Sequence, residues 1–415
     1  MIPLQKKFRV MKEKIKALHI PPDILFDIFL RLPPKSLIRF KSVHSSWLSL
    51  ISSPNFRLKH LHHARASSSY RHGILKSEDT YLSLHGLRQL QATGNLELPP
   101  IPEPENTVDM KASVVSSCNG LLLLCISYKN RRDFILWNPS IREHITIRKS
   151  SFLIHNTYMC GLVFDEFNDN YEVVDVCFDR YGNNSEVEVY NLKENRWNRK
   201  SYRIPTDDDD NDGRPYINNE PGITLRNGIP HWIIRIRNFD TLTIEILSID
   251  LVQVKFKKLP LPPPLANPDP NPCNIVIPGR YRPAFMSTLH GNLCVGIPGI
   301  GNLKVWVMKE YGVAESWIKL SNMVFPVDLP RISCILMPLD FIGRDEVVMG
   351  VGRNSLKIYD RKNFQYSDDI YIHRLQPWPT QATYIETLVS PNVFPSLTTY
   401  SGFRRETNDL PILFL

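Results

Sequence analysis

The spacing of apolar side chains divides the chain into two textures. In residues 18–60 they recur every three or four positions, first as Leu25, Ile28, Phe29 and Leu32, then as Leu37, Phe40, Val43, Trp47, Leu50 and Ile51. That spacing is one face of an α-helix. Pro33 and Pro34 separate the two runs, since proline lacks the N–H and disfavours a helical residue before it. Ser36 is placed to cap the second run. From residue 70 onward, short stretches rich in Val, Ile, Tyr and Trp end at Asn-Gly, Asp or Pro, a pattern that predicts strands. Two or three short helices bury too little surface to stand alone. The helical segment therefore needs a partner surface, on its own chain or on another protein.

The strand-rich part repeats itself. An apolar strand, a turn carrying Asp or Asn, and an apolar or aromatic residue on the return recur as Phe134–Pro139 with Ile145, Val187–Asn191 with Trp197, and Ile244–Asp250 with Phe256. The unit returns as Lys304–Val307 with Trp317 and as Leu356–Asp360 with Tyr366. Trp137, Tyr190, Leu247, Trp306 and Tyr359 mark equivalent positions at intervals of 53, 57, 59 and 53 residues, and Tyr81–Leu84 is a weaker copy 55 residues before Trp137. A second hairpin precedes each of the later copies, turning at Asn119-Gly120, Asn168-Asp169, Asn227-Gly228, Gly291-Asn292 and Arg344-Asp345. Asn-Gly between apolar runs is a strong hairpin signal.

Two hairpins per repeat predict a four-stranded sheet, and the period is close to that of a β-propeller blade. Six outer hairpins against five inner ones leave the first blade two strands short. Ala382–Val389 is placed to supply the missing strand or strands and close the ring. The expected fold is a small all-α segment followed by an all-β domain, a six-bladed β-propeller, with an irregular β-sandwich as the alternative. The boundaries expected are a basic tail at 1–17, the helical segment at 18–60, a linker at 61–72, the β domain at 73–397 and a tail at 398–415.

Charge changes the picture only when it is split. Residues 1–66 carry 13 Lys and Arg against 3 acids, whereas the rest carries 37 basic and 39 acidic side chains. A basic footprint on the folded part is what nucleic-acid binding calls for, and the β domain lacks one, so no nucleic-acid partner is expected. The longest apolar run, Leu121–Ile126, is far short of the ~20 residues of a spanning helix, and no secretory signal is read in the first residues. No membrane partner is expected. Seven cysteines are scattered, with no CxxC pair, which disfavours a disulfide framework or closed zinc site. A cytoplasmic or nuclear location follows as the expectation.

The helical segment has a specific order of residues: Ile20-Pro21-Pro22-Asp23-Ile24-Leu25, then Ile28, then Arg31-Leu32-Pro33-Pro34-Lys35-Ser36-Leu37-Ile38-Arg39-Phe40-Lys41-Ser42-Val43, then Ser46-Trp47 and Leu50–Phe56. This closely resembles the F-box, the adaptor-docking motif of SCF ubiquitin ligases. Ile20 stands where leucine is usual, Pro22 where an acid is usual, and Ser42 and His44 where plant members often carry cysteine. None of these places a charge at an apolar anchor. The resemblance implies that Ile20, Pro21, Leu25, Ile28, Leu32, Pro33, Leu37, Phe40, Val43 and Trp47 bind a Skp-type adaptor and, through it, a cullin.

The β domain carries a matching resemblance. Ser117–Leu122 followed by Leu136–Glu143, then Gly161–Asp165 with Asn170–Val174, Val187–Leu192 with Trp197, and Asn227-Gly228 with His231-Trp232 look like plant F-box-associated domains of the S-locus F-box-like group. The function implied is that of a substrate-recognition subunit of an SCF-type E3 ligase, with the β domain holding an unidentified protein target. A non-degradative scaffold, or a binding or enzymatic propeller with incidental helices, are the alternatives.

Several constellations mimic chemical sites. Asp208-x-Asp210-x-Asp212-Gly213 begins like a calcium loop, but lacks the bidentate Glu and is broken by Pro215. His60, His62 and His63 read as a solvent face at a helix end. Asn183-Asn184-Ser185 has the form of a glycosylation sequon, which matters only on the secretory route. No GxSxG, HExxH, Walker loop or GxGxxG occurs, so no catalytic residue, metal or cofactor is assigned. Two long links are the target-binding candidates. Residues 204–221 hold Asp207, Asp208, Asp209, Asp210 and Asp212, and residues 260–283 hold nine prolines, among them Pro263, Pro268 and Pro270. Long loops on a rigid sheet concentrate binding determinants, and the acidic run favours a basic partner.

Overall fold

The computed structural model describes residues 20–67, 70–77, 80–85, 91–96, 98–100, 111–128, 131–149, 158–178, 185–202, 214–216, 223–224, 228–237, 242–250, 255–266, 276–277, 280–281, 284–289, 291–298, 302–324, 336–342, 345–351, 355–367, 370–371 and 382–392. It opens with four helices: α1 (Pro22–Leu30), α2 (Pro34–Phe40), α3 (Ser45–Ser52) and α4 (Pro54–Ala66). Three of them begin with proline, whose fixed φ suits the first helical turn and whose missing N–H has no partner there anyway. This corrects one expectation. Pro34 starts α2 two residues before Ser36, so Ser36 lies inside the first turn and Pro33 is the residue before the helix. The side-chain caps fall elsewhere: His44 accepts the Ser46 N–H at the start of α3, and Ser53 accepts that of Phe56 at the start of α4.

The helices close on Phe29, Leu37, Ile51 and Phe56, with Trp47 edge-on to Phe29 at 5.1 Å. The segment 61–72, expected as a linker, is no free tether. Helix α4 runs through to Ala66 and the first strand, Arg71–Ser77, begins five residues later.

The described sheets are all antiparallel, and apart from a two-stranded ribbon (Val276–Ile277 with Arg280–Tyr281) they have four or five strands. Five are contiguous, each built from strands that follow one another along the chain: Lys111–Cys118 to Glu143–Ile147, Tyr158–Asp165 to Arg196–Tyr202, Arg214–Tyr216 to Lys255–Leu259, Phe285–Leu289 to Trp317–Val324, and Leu336–Ile342 to Ile370–Tyr371. The hairpins expected from the sequence are present, with Leu136 opposite Ile145, Tyr190 opposite Trp197, Ile249 opposite Phe256, Met308 opposite Trp317 and Tyr359 opposite Tyr366. One further four-stranded sheet is composite. Ala382–Ile385, from the far end of the described chain, pairs with Arg71–Ser77, which pairs in turn with Thr80–His85 and then Gln91–Leu96. Of the two strands missing from the first repeat, then, one comes from the end of the chain and the other is Arg71–Ser77.

The innermost strands lie side by side around a closed ring. Ala382–Ile385 neighbours Lys111–Cys118, which neighbours Tyr158–Asp165; next come Ile223–Thr224 with Pro230–Arg237, then Phe285–Leu289, then Leu336–Ile342, which returns to Ala382–Ile385. Such a ring is a propeller, not a sandwich. Between sheets lie dry apolar layers. Trp232 and Leu247 meet Val174 and Val187, Phe285 and Val305 meet Val347 and Tyr359, and Tyr384 meets Leu122 and Trp137.

In an antiparallel meander the two hairpin turns of a sheet share one face of the ring. These turns follow a common design. Asn138, Asp165, Asn191 and Asp360 each accept a backbone N–H from two or three residues ahead, at 2.8–3.1 Å. The residue four positions on is left-handed: Arg142 (φ 59°), Asp169 (47°), Asn195 (53°) and Phe364 (54°), with Gly312 (79°) at the same place after Met308. Asn, Asp and Gly tolerate that conformation; a bulky Phe does not. Phe364 is also exposed. Phe364→Asn should therefore raise stability by about 1 kcal/mol, read as a higher thermal midpoint of the full chain. A lower midpoint would show that the ring makes contacts outweighing its backbone strain.

Candidate functional site

The helices have two unlike sides. On one, Ile24 (53% exposed) and Ile28 (44%) stand one turn apart on α1, with Ile20 four residues earlier at 46%. Val43 (61%) in the turn after α2, Leu48 (47%) on α3 and Leu58 (54%) on α4 are also uncovered. Pro21 and Pro33 are exposed as well. Several large aliphatic side chains left in water on one small element mark an interaction surface.

Of the residues that the F-box resemblance assigns to the adaptor, Ile20, Pro21, Ile28, Pro33 and Val43 lie at this surface. Leu25, Leu32, Phe40 and Trp47 are half-buried and lean on the helical core. Leu37 is fully buried in that core and presents no surface, because α2 turns it toward Phe29 and Ile51. Ile24 and Leu48 were not singled out in the sequence; the four-residue step from Ile20 through Ile24 to Ile28 was the available signal.

The opposite side of the helices is joined to the propeller. Arg65 of α4 donates to Asn119 Oδ1, through Nε at 3.1 Å and also through Nη2, and Asn119 Nδ2 donates to the buried Tyr171 hydroxyl at 2.8 Å. Ile141, in a hairpin turn, packs on the helical core. The helices thus sit on the face that carries the hairpin turns. His60, expected at a solvent face, is buried: its Nε2 donates to the Leu32 carbonyl at 3.1 Å, and its ring meets Tyr70 edge-on. Burial holds the His60 pKa below its usual value, so the ring packs in its neutral form.

Of the target-binding candidates, Pro263 is exposed and begins a short helix, Pro263–Ala266. Asp207, Asp208, Asp209, Asp210, Asp212, Pro268 and Pro270 lie outside the described residues, as does the basic tail at 1–17.

One buried cluster of ionisable groups escaped the sequence reading altogether. Asp175 is fully buried between two adjoining sheets and accepts Arg132 Nη2 at 3.0 and 3.1 Å. Lys149 pairs with both Asp175 and Glu188, and its Nζ also lies 5.5 Å from the centre of the Trp197 ring. Two cations and two carboxylates balance. Burial alone would raise the Asp175 carboxyl, but Arg132 and Lys149 override it and hold it low. Lys149 is likewise disfavoured by burial, yet its carboxylate partners hold its pKa high.

The thiols around the cluster are shifted in both directions: a hydrogen bond with Cys160 and the nearby Arg132 hold the buried Cys125 below its usual value. Burial pushes Cys177 up to about 12 and raises Cys160, and elsewhere Cys118 and Cys294 are likewise pushed up to about 12. The arrangement fastens neighbouring sheets together.

The comparisons with known proteins agree with this division. The F-box domain family matches residues 17–59, and the F-box associated beta propeller domain family matches residues 76–391. The chain therefore belongs to the F-box proteins that carry an F-box associated β-propeller domain. Among its relatives in Arabidopsis thaliana, F-box/kelch-repeat protein At3g23880 is 27% identical, covering 92% of this chain and 98% of that protein. F-box protein CPR1 is 27% identical (75% and 74%), and F-box protein At3g07870 is 28% identical (72% and 71%).

The buried charges make a test. Asp175→Asn leaves Arg132 and Lys149 with too little negative charge, a loss of about 3–5 kcal/mol to be read by denaturant unfolding. The pH dependence has two arms. A depressed Asp175 stabilises the fold at neutral pH and loses that contribution as pH falls through its folded value. A raised Lys149 stabilises below about pH 10 and loses its contribution as pH climbs through its own folded value. The parent should show both arms, and Asp175→Asn should lack the acid one.

Proposed function

We propose that this protein is a substrate-recognition subunit of an SCF-type E3 ubiquitin ligase, working outside membranes in the cytoplasm or nucleus. The helical face of Ile20, Ile24, Ile28, Val43 and Leu48 docks a Skp-type adaptor, which connects it to a cullin. The propeller binds a protein target. The observation that carries the reading is that the helices, joined to the propeller through Arg65 and Ile141, still leave Ile20, Ile24, Ile28, Val43, Leu48 and Leu58 uncovered. A hydrophobic partner surface is what such a face calls for. The family descriptions are those of adaptor-type proteins, and the ubiquitin-transfer chemistry belongs to other subunits.

The ring is read as six-bladed, the composite sheet counting as a blade beside the five contiguous ones. Support comes from the unbroken cycle of innermost strands, to which the composite sheet contributes Ala382–Ile385. The two long links, with Asp207–Asp210, Asp212, Pro263, Pro268 and Pro270, remain the proposed target contacts, and the acidity of the first favours a basic partner.

Ile24→Glu with Ile28→Glu should weaken adaptor binding about a hundredfold or more, since desolvated apolar anchors dominate such interfaces. The thermal midpoint should stay close to the parent's because both residues are already exposed. Leu37→Ala should instead lower stability, by about 2–5 kcal/mol. Calorimetric titration of the full chain with purified adaptor measures the first effect and thermal melting the second. Undiminished adaptor binding by the double Glu variant would remove this face as the docking site. Target accumulation on proteasome inhibition separates the degradative receptor from a scaffold.

A further inference from the structure

The core of the F-box is not made of F-box residues alone. Leu388 is 3% exposed and lies among Phe29, Leu37, Ile51 and Phe56. It stands three residues beyond the strand Ala382–Ile385 that completes the composite sheet. The chain between the two is held at almost every residue. The Glu386 N–H donates to the Tyr70 carbonyl at 2.8 Å, and Thr387 Oγ1 donates to the Asn119 carbonyl at 2.9 Å. Asn138, fully buried, donates from Nδ2 to the carbonyls of Thr387 (3.1 Å) and Val389 (2.7 Å). Ser390 donates to the Glu143 carboxylate, and Asn392 N–H donates to Ser390 Oγ at 3.1 Å.

The fit around this segment leaves no slack. Asn119 and Gly120 are both left-handed, as a two-residue hairpin turn of the primed type requires. A Cβ on Gly120 would lie 2.2 Å from Thr387 Oγ1 and 2.5 Å from the Ile385 carbonyl. Tyr70 and Asn119, which receive the segment, are the groups that α4 touches: His60 and His63 meet the Tyr70 ring, and Arg65 binds Asn119.

We propose that Glu386–Ser390 is a positioning element for adaptor docking. By closing the ring it seats Leu388 in the F-box core and so fixes α1 and α3 in the arrangement that presents Ile24, Ile28 and Leu48. Leu388 itself touches no adaptor; it acts through Phe29 on α1 and Ile51 on α3. Four short helices with a core this small depend on burial supplied from outside, and the closing segment supplies it. Ring closure and adaptor binding are therefore linked equilibria, each favouring the other by the same factor. The proposal rests on the reading of the exposed helical face as the adaptor site.

The test uses the full chain and purified adaptor, with affinity by calorimetry and amide exchange followed along the chain. Leu388→Asp should weaken the adaptor about thirtyfold or more, Leu388→Met should stay within about threefold of the parent, and Asn138→Ala should fall between. Saturating adaptor should slow amide exchange at residues 386–390 of the parent about tenfold or more, an effect that a purely local role in the propeller would not produce. In Leu388→Asp, amides of α1 and α3 should lose protection. Adaptor affinity within twofold of the parent in both Leu388→Asp and Asn138→Ala, or exchange at 386–390 unmoved by adaptor, would overturn the proposal while leaving the docking reading intact. A parent chain that binds no adaptor would overturn both.

Discussion

Everything in this molecule hangs on a run of polar contacts about one segment, Glu386 to Ser390. A propeller built from a linear chain has two free edges unless something joins its ends, and unpaired edges expose N–H and C=O groups that water or another chain will claim. Here the join is a four-residue strand, Ala382–Ile385, pairing with Arg71–Ser77. So short a strand brings few backbone hydrogen bonds. Asn138, Thr387, Ser390 and the carbonyls they reach add the rest, inside an environment dry enough that each unmade bond would cost about 1–3 kcal/mol. Gly120 belongs to the same constraint, because any side chain there would occupy the place of Thr387.

The fold was legible in the sequence wherever a short-range signal reported it. The aromatic return residues Trp197, Phe256 and Tyr366 sit on the return strands of the hairpins expected for them, since the turn chemistry of Asn and Asp sets hairpins locally. The helical spacing separated the F-box from the rest for the same reason. Long-range facts were less visible. Only Arg71 and His72 were read as linker, but the pairing of Arg71–Ser77 with Ala382–Ile385 was out of sight because that partner lies at the opposite end of the described chain. Ser36 read as a cap because it precedes an apolar run, whereas Pro34 had already begun the helix.

The candidate site was legible by half. Side chains of one helix face can be listed from spacing, but which of them point outward depends on what the helix packs against, and here part of that packing is Leu388 and Ile141 from the propeller. Leu37 looked like an anchor and is core; Ile24 and Leu48 looked ordinary and are exposed. The cluster of Arg132, Lys149, Asp175 and Glu188 was out of reach for a different reason. Its members are drawn from two neighbouring sheets, and each taken alone resembles a surface charge on a strand. Together they form a buried set whose net charge is zero, the condition on which charges can be buried at all.

The order of synthesis adds a consequence to the position of Leu388. The F-box lies near the amino end and is made early, yet the residue that finishes its core follows Tyr70 by more than three hundred positions. At roughly 5–20 residues per second, that gap lasts some tens of seconds. During that interval a nascent chain carries an F-box with an unfilled core and an apolar face still in water. Chains truncated or stalled before residue 388 remain in that condition, so the segment Ala382–Leu388 separates chains that have closed the ring from those that have not.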